Sequence, residues 1–188
     1  ISSQAKVRVK FYSGNLEEQL SNINQKFDAA IFMGNTIPHN PHKYQEVIKK
    51  ASESLSEKGI MIFQITNFEK VLKTHKRLLS FNFTKIKDEP NKEYGFLEFY
   101  DNPNEKDHTI LKTFAILISD GKRWRSTCVR NALVAYVNKE NIKKTLEKNG
   151  FTKVLFYGGS FDGRKWDYLF RKPFDPLQSD WLNVVAKR

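Results

Sequence analysis

The side chains of this chain that could do chemistry gather just after apolar runs. Gly34-Asn35-Thr36-Ile37-Pro38-His39 follows residues 27–33 (FDAAIFM), Asn67-Phe68-Glu69 follows residues 60–65 (IMIFQI), and Gly14-Asn15-Leu16 follows the alternation of Val7, Val9 and Phe11. An open parallel sheet binds its ligand beyond the carboxyl ends of its strands, so the loops after Phe11, Met33 and Ile65 are the places for a site. The glycine-rich phosphate or dinucleotide loop, G-x-G-x-x-G or the Walker pattern, occurs nowhere in the 188 residues. Cys128 is the only cysteine, so neither an internal disulfide nor a thiolate zinc cluster can form. It reads as a packed small residue, because thiolate chemistry also needs a histidine or helix terminus held beside the sulfur. No metal set is expected.

The elements that would position these loops follow from hydrophobic period. Val7, Val9 and Phe11 alternate with polar neighbours and predict a strand that stops at Ser13-Gly14-Asn15. Leu16, Leu20 and Ile23 mark a short helix, and residues 27–33 predict a strand apolar on both faces, inside a parallel sheet. Asn40 with Pro41 predicts a capped helix start, Tyr44, Val47, Ile48, Ala51 and Leu55 share one helical face, and Gly59 supplies the stop. Residues 60–65 then predict a buried strand, and residues 67–79 a helix with Phe68, Val71, Leu72, Leu78 and Leu79 inward. Strand and helix in alternation are the pattern of an α/β doubly wound sheet.

The pattern changes over residues 83–137. Runs at 96–100, 109–118 and 124–137, punctuated by Asp101-Asn102-Pro103-Asn104 and Ser119-Asp120-Gly121-Lys122, predict an antiparallel meander inserted into the core formed by 1–82 and 138–188. From Asn138 a capped helix carries Ile142, Thr145 and Leu146 inward to Asn149-Gly150. Two closing strands, 152–157 and 181–186, flank an irregular stretch, 158–180.

Composition sets the outer bounds. With 39% hydrophobic, 13% aromatic and 28% charged residues the chain can bury a core, which excludes disordered and collagen-like classes. No apolar run reaches the roughly 20 residues of a membrane span, and no signal peptide is legible, so a cytoplasmic protein without a membrane partner is expected. The 32 Lys and Arg against 21 Asp and Glu give a net charge of +11, which raises nucleic acid or another polyanion as a partner. Solvated helix faces, as at Lys143, Lys144 and Lys148, account for much of that charge. No arginine-rich tail, zinc-finger spacing or aromatic RNA-binding signature accompanies it.

Taken together, Gly14-Asn15-Leu16, the stretch from Phe27 through Gly34-Asn35-Thr36 to His39, and Gly59-Ile60-Met61-Ile62 resemble the downstream half of a class I S-adenosylmethionine-dependent methyltransferase. Asn67-Phe68-Glu69 and Tyr157-Gly158-Gly159-Ser160-Phe161 extend the likeness to the glycine N-methyltransferase-like subgroup. The resemblance covers most of the chain. It implies a Rossmann-like sheet with an antiparallel insert over the substrate, and it puts Ile1 after the second strand of that sheet. A piece lacking the upstream cofactor loop, and inactive without it, is therefore the expectation.

The same resemblance implies roles. Asn15 and Leu16 would contact the adenine of S-adenosylmethionine, Asn15 standing where the family usually has Asp. Met33, Gly34 and Asn35 would lie under the methyl sulfonium, Asn35 offering its amide to cofactor or substrate or serving only as a turn residue. His39 is either a base or a structural histidine tying the loop to the helix start; methyl transfer to an amine needs positioning more than proton abstraction. Thr66 stands where glycine methyltransferases carry the arginine that clamps a carboxylate, so glycine is not expected as substrate unless Arg123, Arg125 or Arg130 supplies the clamp. Asn67, Tyr94, Trp124, Arg125 and Tyr157 are candidate substrate contacts, the last four equally candidates for sheet packing. The expected activity is methyl transfer to N or O of a small molecule, with a homo-oligomer possible. The competing expectation is a methyltransferase-like module that binds RNA through its basic surface.

Overall fold

The computed structural model describes residues 8–73, 77–104, 106–160, 170 and 172–188. Helix α1, Leu16–Ser21, leads to strand β1, Phe27–Phe32, then a single 3-10 turn at Ile37–His39 and helix α2, Tyr44–Glu53. Strand β2, Leu55–Thr66, is followed by helix α3, Phe68–Lys73, and by four strands, β3 Leu78–Thr84, β4 Glu93–Tyr100, β5 Thr109–Ser119 and β6 Trp124–Ala135. Helix α4, Lys139–Lys148, then precedes β7 Lys153–Gly159, β8 Lys172–Pro173 and β9 Trp181–Lys187.

Two sheets result. The first has the order β1-β2-β9-β7-β8, with β1 parallel to β2 and every other pair antiparallel. The second is an antiparallel meander, β3-β4-β5-β6; its last two turns fall at the two predicted places, while the first, between Thr84 and Glu93, and strand β3 itself were not expected. The fold is therefore mixed α/β, with one parallel pair among the described strands. No helix among the described residues is long and apolar enough to cross a membrane.

The core lies where α2 and α4 press Val47, Ile48, Ile142 and Leu146 against Met61, Phe63, Ile65, Val184 and Ala186. Phe32 and Phe63 stack at 5.3 Å across the parallel pair. Burying a ring such as Phe63 contributes about 1.5–3 kcal/mol, which helps hold β2 inside the sheet between β1 and β9. Asn138 caps α4 in a reciprocal box, its side chain accepting from the Asn141 N–H while the Asn141 side chain accepts from the Asn138 N–H. Gly150, at φ +85°, ends the helix, as the Asn-Gly signal predicts.

Several expectations need correction. Residues 8–12 form no strand, and Phe11 is 89% exposed, because no described backbone runs alongside to complete the ladder; Val7 lies outside the described residues. Among the described strands β1 is not enclosed but forms an edge of its sheet, and Ile31 is 61% exposed. Helix α2 starts three residues after Pro41, since Ile37-Pro38-His39 takes up a tight turn first. It also ends at Glu53, and Leu55 and Gly59 belong to β2. There Gly59 is required by a bulge: a Cβ would lie 2.8 Å from Leu55 Cβ and 2.9 Å from the Ser56 carbonyl oxygen. Helix α3 is described over Phe68–Lys73, and Leu78 begins a strand that the sequence reading leaves inside the helix, because alternation over 78–84 suits a pleat.

Candidate functional site

The carboxyl ends of β1 and β2 share one loop. Gly34 and Asn35 both hold left-handed backbone, at φ +64° and +67°, which asparagine tolerates better than most residues. The turn is pinned to β2 at three points. Asn35 N–H donates to the Gln64 carbonyl at 3.0 Å, Gly34 N–H to Gln64 Oε1 at 3.2 Å, and Asn35 Oδ1 accepts from Thr66 N–H at 2.9 Å. Asn35 is 5% exposed, yet its Nδ2 group has no hydrogen-bond partner among the described residues. A buried donor left unpaired costs about 1–3 kcal/mol, so this amide is poised for an external acceptor.

Beside it opens a cavity of about 580 Å³, lined by Gly34, Asn35, His39, Thr66 and Trp181 on the side of the first sheet and by Ser80, Phe81, Asn82, Glu98, Tyr100 and Lys112 on the side of the second. Its polar wall is an ion pair, Lys112 Nζ to Glu98 Oε1 at 2.9 Å, both side chains largely covered. The Tyr100 hydroxyl donates to the same Glu98 oxygen at 3.1 Å. Burial first, then the Glu98 charge and hydrogen bond, push the Tyr100 phenol well above its ordinary range, so it stays a neutral donor. His39 keeps an open edge to solvent, but desolvation by its surroundings, and secondarily the Lys112 charge, hold its imidazole below the usual histidine value against the opposing pull of Glu98. It is therefore a neutral acceptor at pH 7.

The expected site residues divide. Gly34, Asn35 and His39 meet at the cavity, with Thr66, while Met33 is partly exposed just before them. Asn15 and Leu16 open α1; the Asn15 amide donates to Glu18 at 3.1 Å and Leu16 packs on the core. Asn67 is buried and its amide is committed to the main chain, donating to the Ser179 and Pro176 carbonyls at 2.7 and 3.0 Å. Tyr94, at the start of β4, donates to Glu89, and none of Tyr94, Trp124, Arg125 and Tyr157 lines this cavity. Tyr157 packs edge-on against Phe170 at 5.7 Å. Phe161 lies outside the described residues.

Glu98, Tyr100 and Lys112 are the residues that sequence reasoning missed. A signal existed: Glu98 shares its pleat face with Phe96 and Tyr100, and Lys112 with Ile110 and Phe114. A charge on an apolar face is costly unless paired, and register 98↔114 with 100↔112 sets these two diagonally adjacent. Among the described residues no cluster of His, Cys, Asp and Glu could hold a metal ion.

This architecture is found in solved methyltransferases. An S-adenosylmethionine-dependent methyltransferase from Clostridium acetobutylicum superposes with a TM-score of 0.62 at 12% identity, over 99% of this chain and 67% of that one. The CcbJ methyltransferase of Streptomyces caelestis gives 0.57 at 15% identity, over 92% and 61%. The sugar N-methyltransferase KedS8 of Streptoalloteichus gives 0.55 at 10%, over 88% and 57%. The chain has the fold of this class. In sequence it is 23% identical over 165 residues to an uncharacterized protein, MJ1252, of Methanocaldococcus jannaschii, and spans 88% of its own length but 55% of that relative. No protein-family profile matches it.

Proposed function

We propose that the protein contributes the acceptor side of an S-adenosylmethionine-dependent methyltransferase, carrying methyl to N or O of a polar small molecule. The observation that carries this reading is the buried, unpartnered Asn35 amide at the carboxyl end of β1, in the wall of a cavity that both sheets enclose. The residues fit a cofactor edge there. At Gly34 no atom stands within 4 Å of where a Cβ would be, and the Asn35 amide is a donor in search of an oxygen or nitrogen. S-adenosylmethionine, when bound, supplies an electrophilic methyl on a sulfonium, so the protein's task is orientation.

The chain's own residues would do that work. Asn35, fixed by Thr66 and Gln64, holds one polar group in place. Glu98 and Lys112 offer one acceptor and one donor to the polar groups of the methyl acceptor, and Tyr100 keeps Glu98 aimed. Neutral His39 at the rim can take the proton that an attacking amine or hydroxyl loses. The sugar N-methyltransferase among the structural neighbours is compatible with such a hydroxyl-rich and amine-bearing acceptor.

Calorimetric titration of S-adenosylmethionine into the protein at its full natural length tests the reading. Binding that Asn35→Ala weakens about tenfold, the equivalent of one hydrogen bond of ~1.4 kcal/mol, is expected. Absence of any binding heat by the unaltered protein overturns it.

A further inference from the structure

Arg123, Arg125 and Arg130 fall on or just before β6, and the strand register singles out the last of them. Arg123 lies in the turn before the strand, and Arg125 has the Asp120 carboxylate nearby. Arg130 shares a face of the second sheet with the ion pair of the cavity wall, because the pairings 98↔114 and 114↔130 put Glu98, Phe114 and Arg130 in one row. Lys112 stands one pleat along β5, diagonal to both Glu98 and Arg130.

The neighbours of Arg130 on that face are Phe114 across from it, Lys112 and Ile116 on the diagonals, and Cys128 and Ala132 on its own strand. None is acidic, and the charged one is a second cation. Elsewhere exposed cations of this chain meet carboxylates: Lys43 that of Glu17, Lys49 that of Glu53 and Lys143 that of Glu147. Among the described residues the Arg130 guanidinium reaches only the neighbouring Val129 carbonyl, at 3.4 Å. Lys112 gives one N–H to Glu98, whose same oxygen also accepts from the Tyr100 hydroxyl. Lys112, Glu98 and Arg130 thus carry one positive charge in surplus beside the cavity.

Cα atoms on such a diagonal lie about 7–8 Å apart, a span that the long side chains of lysine and arginine close between them. An oxyanion held there cancels the repulsion of the two cations, and a guanidinium offers it two parallel N–H donors. We propose that Lys112 and Arg130 form an oxyanion subsite at the mouth of the cavity: the methyl acceptor carries a carboxylate or phosphate that these cations hold while its nucleophilic atom lies beside Asn35 and His39. The acceptor's part in this rests on the methyltransferase reading above; the subsite rests on the sheet. A neutral acceptor leaves Arg130 unmatched, so anionic acceptors are preferred over their uncharged analogues.

Benzoate and inorganic phosphate, titrated at constant ionic strength into the isotope-labelled protein at its full natural length, test the subsite by nuclear magnetic resonance. The expected result is a saturable shift of the Arg130 side-chain N–H signal, identified by its loss in Arg130→Gln. That variant should bind about tenfold more weakly or worse, read from the Phe114 amide. Lys148→Gln removes the same charge from exposed α4 and should leave the affinity within about twofold, since salt screens so distant a charge. Whichever probe binds more tightly names the oxyanion. Benzoate should also raise the His39 titration midpoint, because it offsets the Lys112 charge that helps hold that value low. No saturable shift with either probe, an affinity that folded Arg130→Gln retains, an equal loss in Lys148→Gln, or an unmoved His39 midpoint overturns the proposal. Titrating S-adenosylmethionine into the same sample separates the two readings. Cofactor binding without anion binding removes this subsite alone, and anion binding without cofactor binding removes the methyltransferase reading while Lys112 and Arg130 remain an anion site.

Discussion

Strands β2 and β6 are each twelve residues long, and they lead opposite lives. Strand β2 runs between β1 and β9, with Met61, Phe63 and Ile65 wholly enclosed. Strand β6 is the edge of its sheet, and only Val134 and Ala135, at its end, are buried. Both are rich in apolar residues, so hydrophobicity alone does not distinguish them. What differs is how many neighbours each was given. A strand paired along both edges, with one face fully buried, forms the frame. An edge strand that is mostly exposed contributes little to it.

The contrast can be attacked by substitution. Phe63→Ala removes a fully buried ring from the stack with Phe32 and should cost about 3–5 kcal/mol in urea unfolding, the largest effect expected. A loss under 1 kcal/mol there would mean β2 is not the frame. Asn67→Ala strips two carbonyls near the carboxyl end of β2 of their donor and should cost about 2 kcal/mol by the same measurement, with melting followed by calorimetry as a check. If instead stability holds and only acceptor binding suffers, Asn67 belongs to the site rather than to the frame.

Acidification sharpens the comparison from the side of the cavity. The His39 value is lowered by folding, so the unfolded chain binds its proton first as pH falls. This contribution to stability is present above the ordinary histidine value of about 6.5 and is lost as pH drops through the lower folded value. His39→Gln should remove that dependence, read from unfolding midpoints between pH 7 and 5; an unchanged slope would show that His39 is not its source. The smallest effect is expected for Val129→Ala on β6, within about 0.5 kcal/mol in the same urea unfolding measurement, since Val129 is 52% exposed.

Much of the frame was legible one element at a time. Residues 60–65 are too continuously apolar to be anything but buried, Asn138 and Gly150 delimit α4, and the turn clusters at 101–104 and 119–122 separate β4, β5 and β6. Errors came where one signal served two structures. Val7, Val9 and Phe11 alternate as a strand does, but pairing needs a neighbour that alternation cannot supply. Leu78 and Leu79 continue the apolar spacing of α3, yet the chain turns them into a pleat. At the site, Gly34, Asn35 and His39 were visible because left-handed turns select Gly and Asn. Glu98 and Lys112 were not, because they lie fourteen residues apart and meet only when β4 is laid against β5.

The sequence by itself determined that there would be buried strands, capped helices and a meander with Gly34-Asn35 at a strand's end, since these depend on interactions within a few residues. Only the tertiary structure decided which strand is central and which is an edge. It also brought Lys112 and Glu98 to the Asn35 loop and left Phe81, Phe83 and Trp124 of the second sheet half-exposed, because each of these depends on pairings between distant segments that no local pattern encodes.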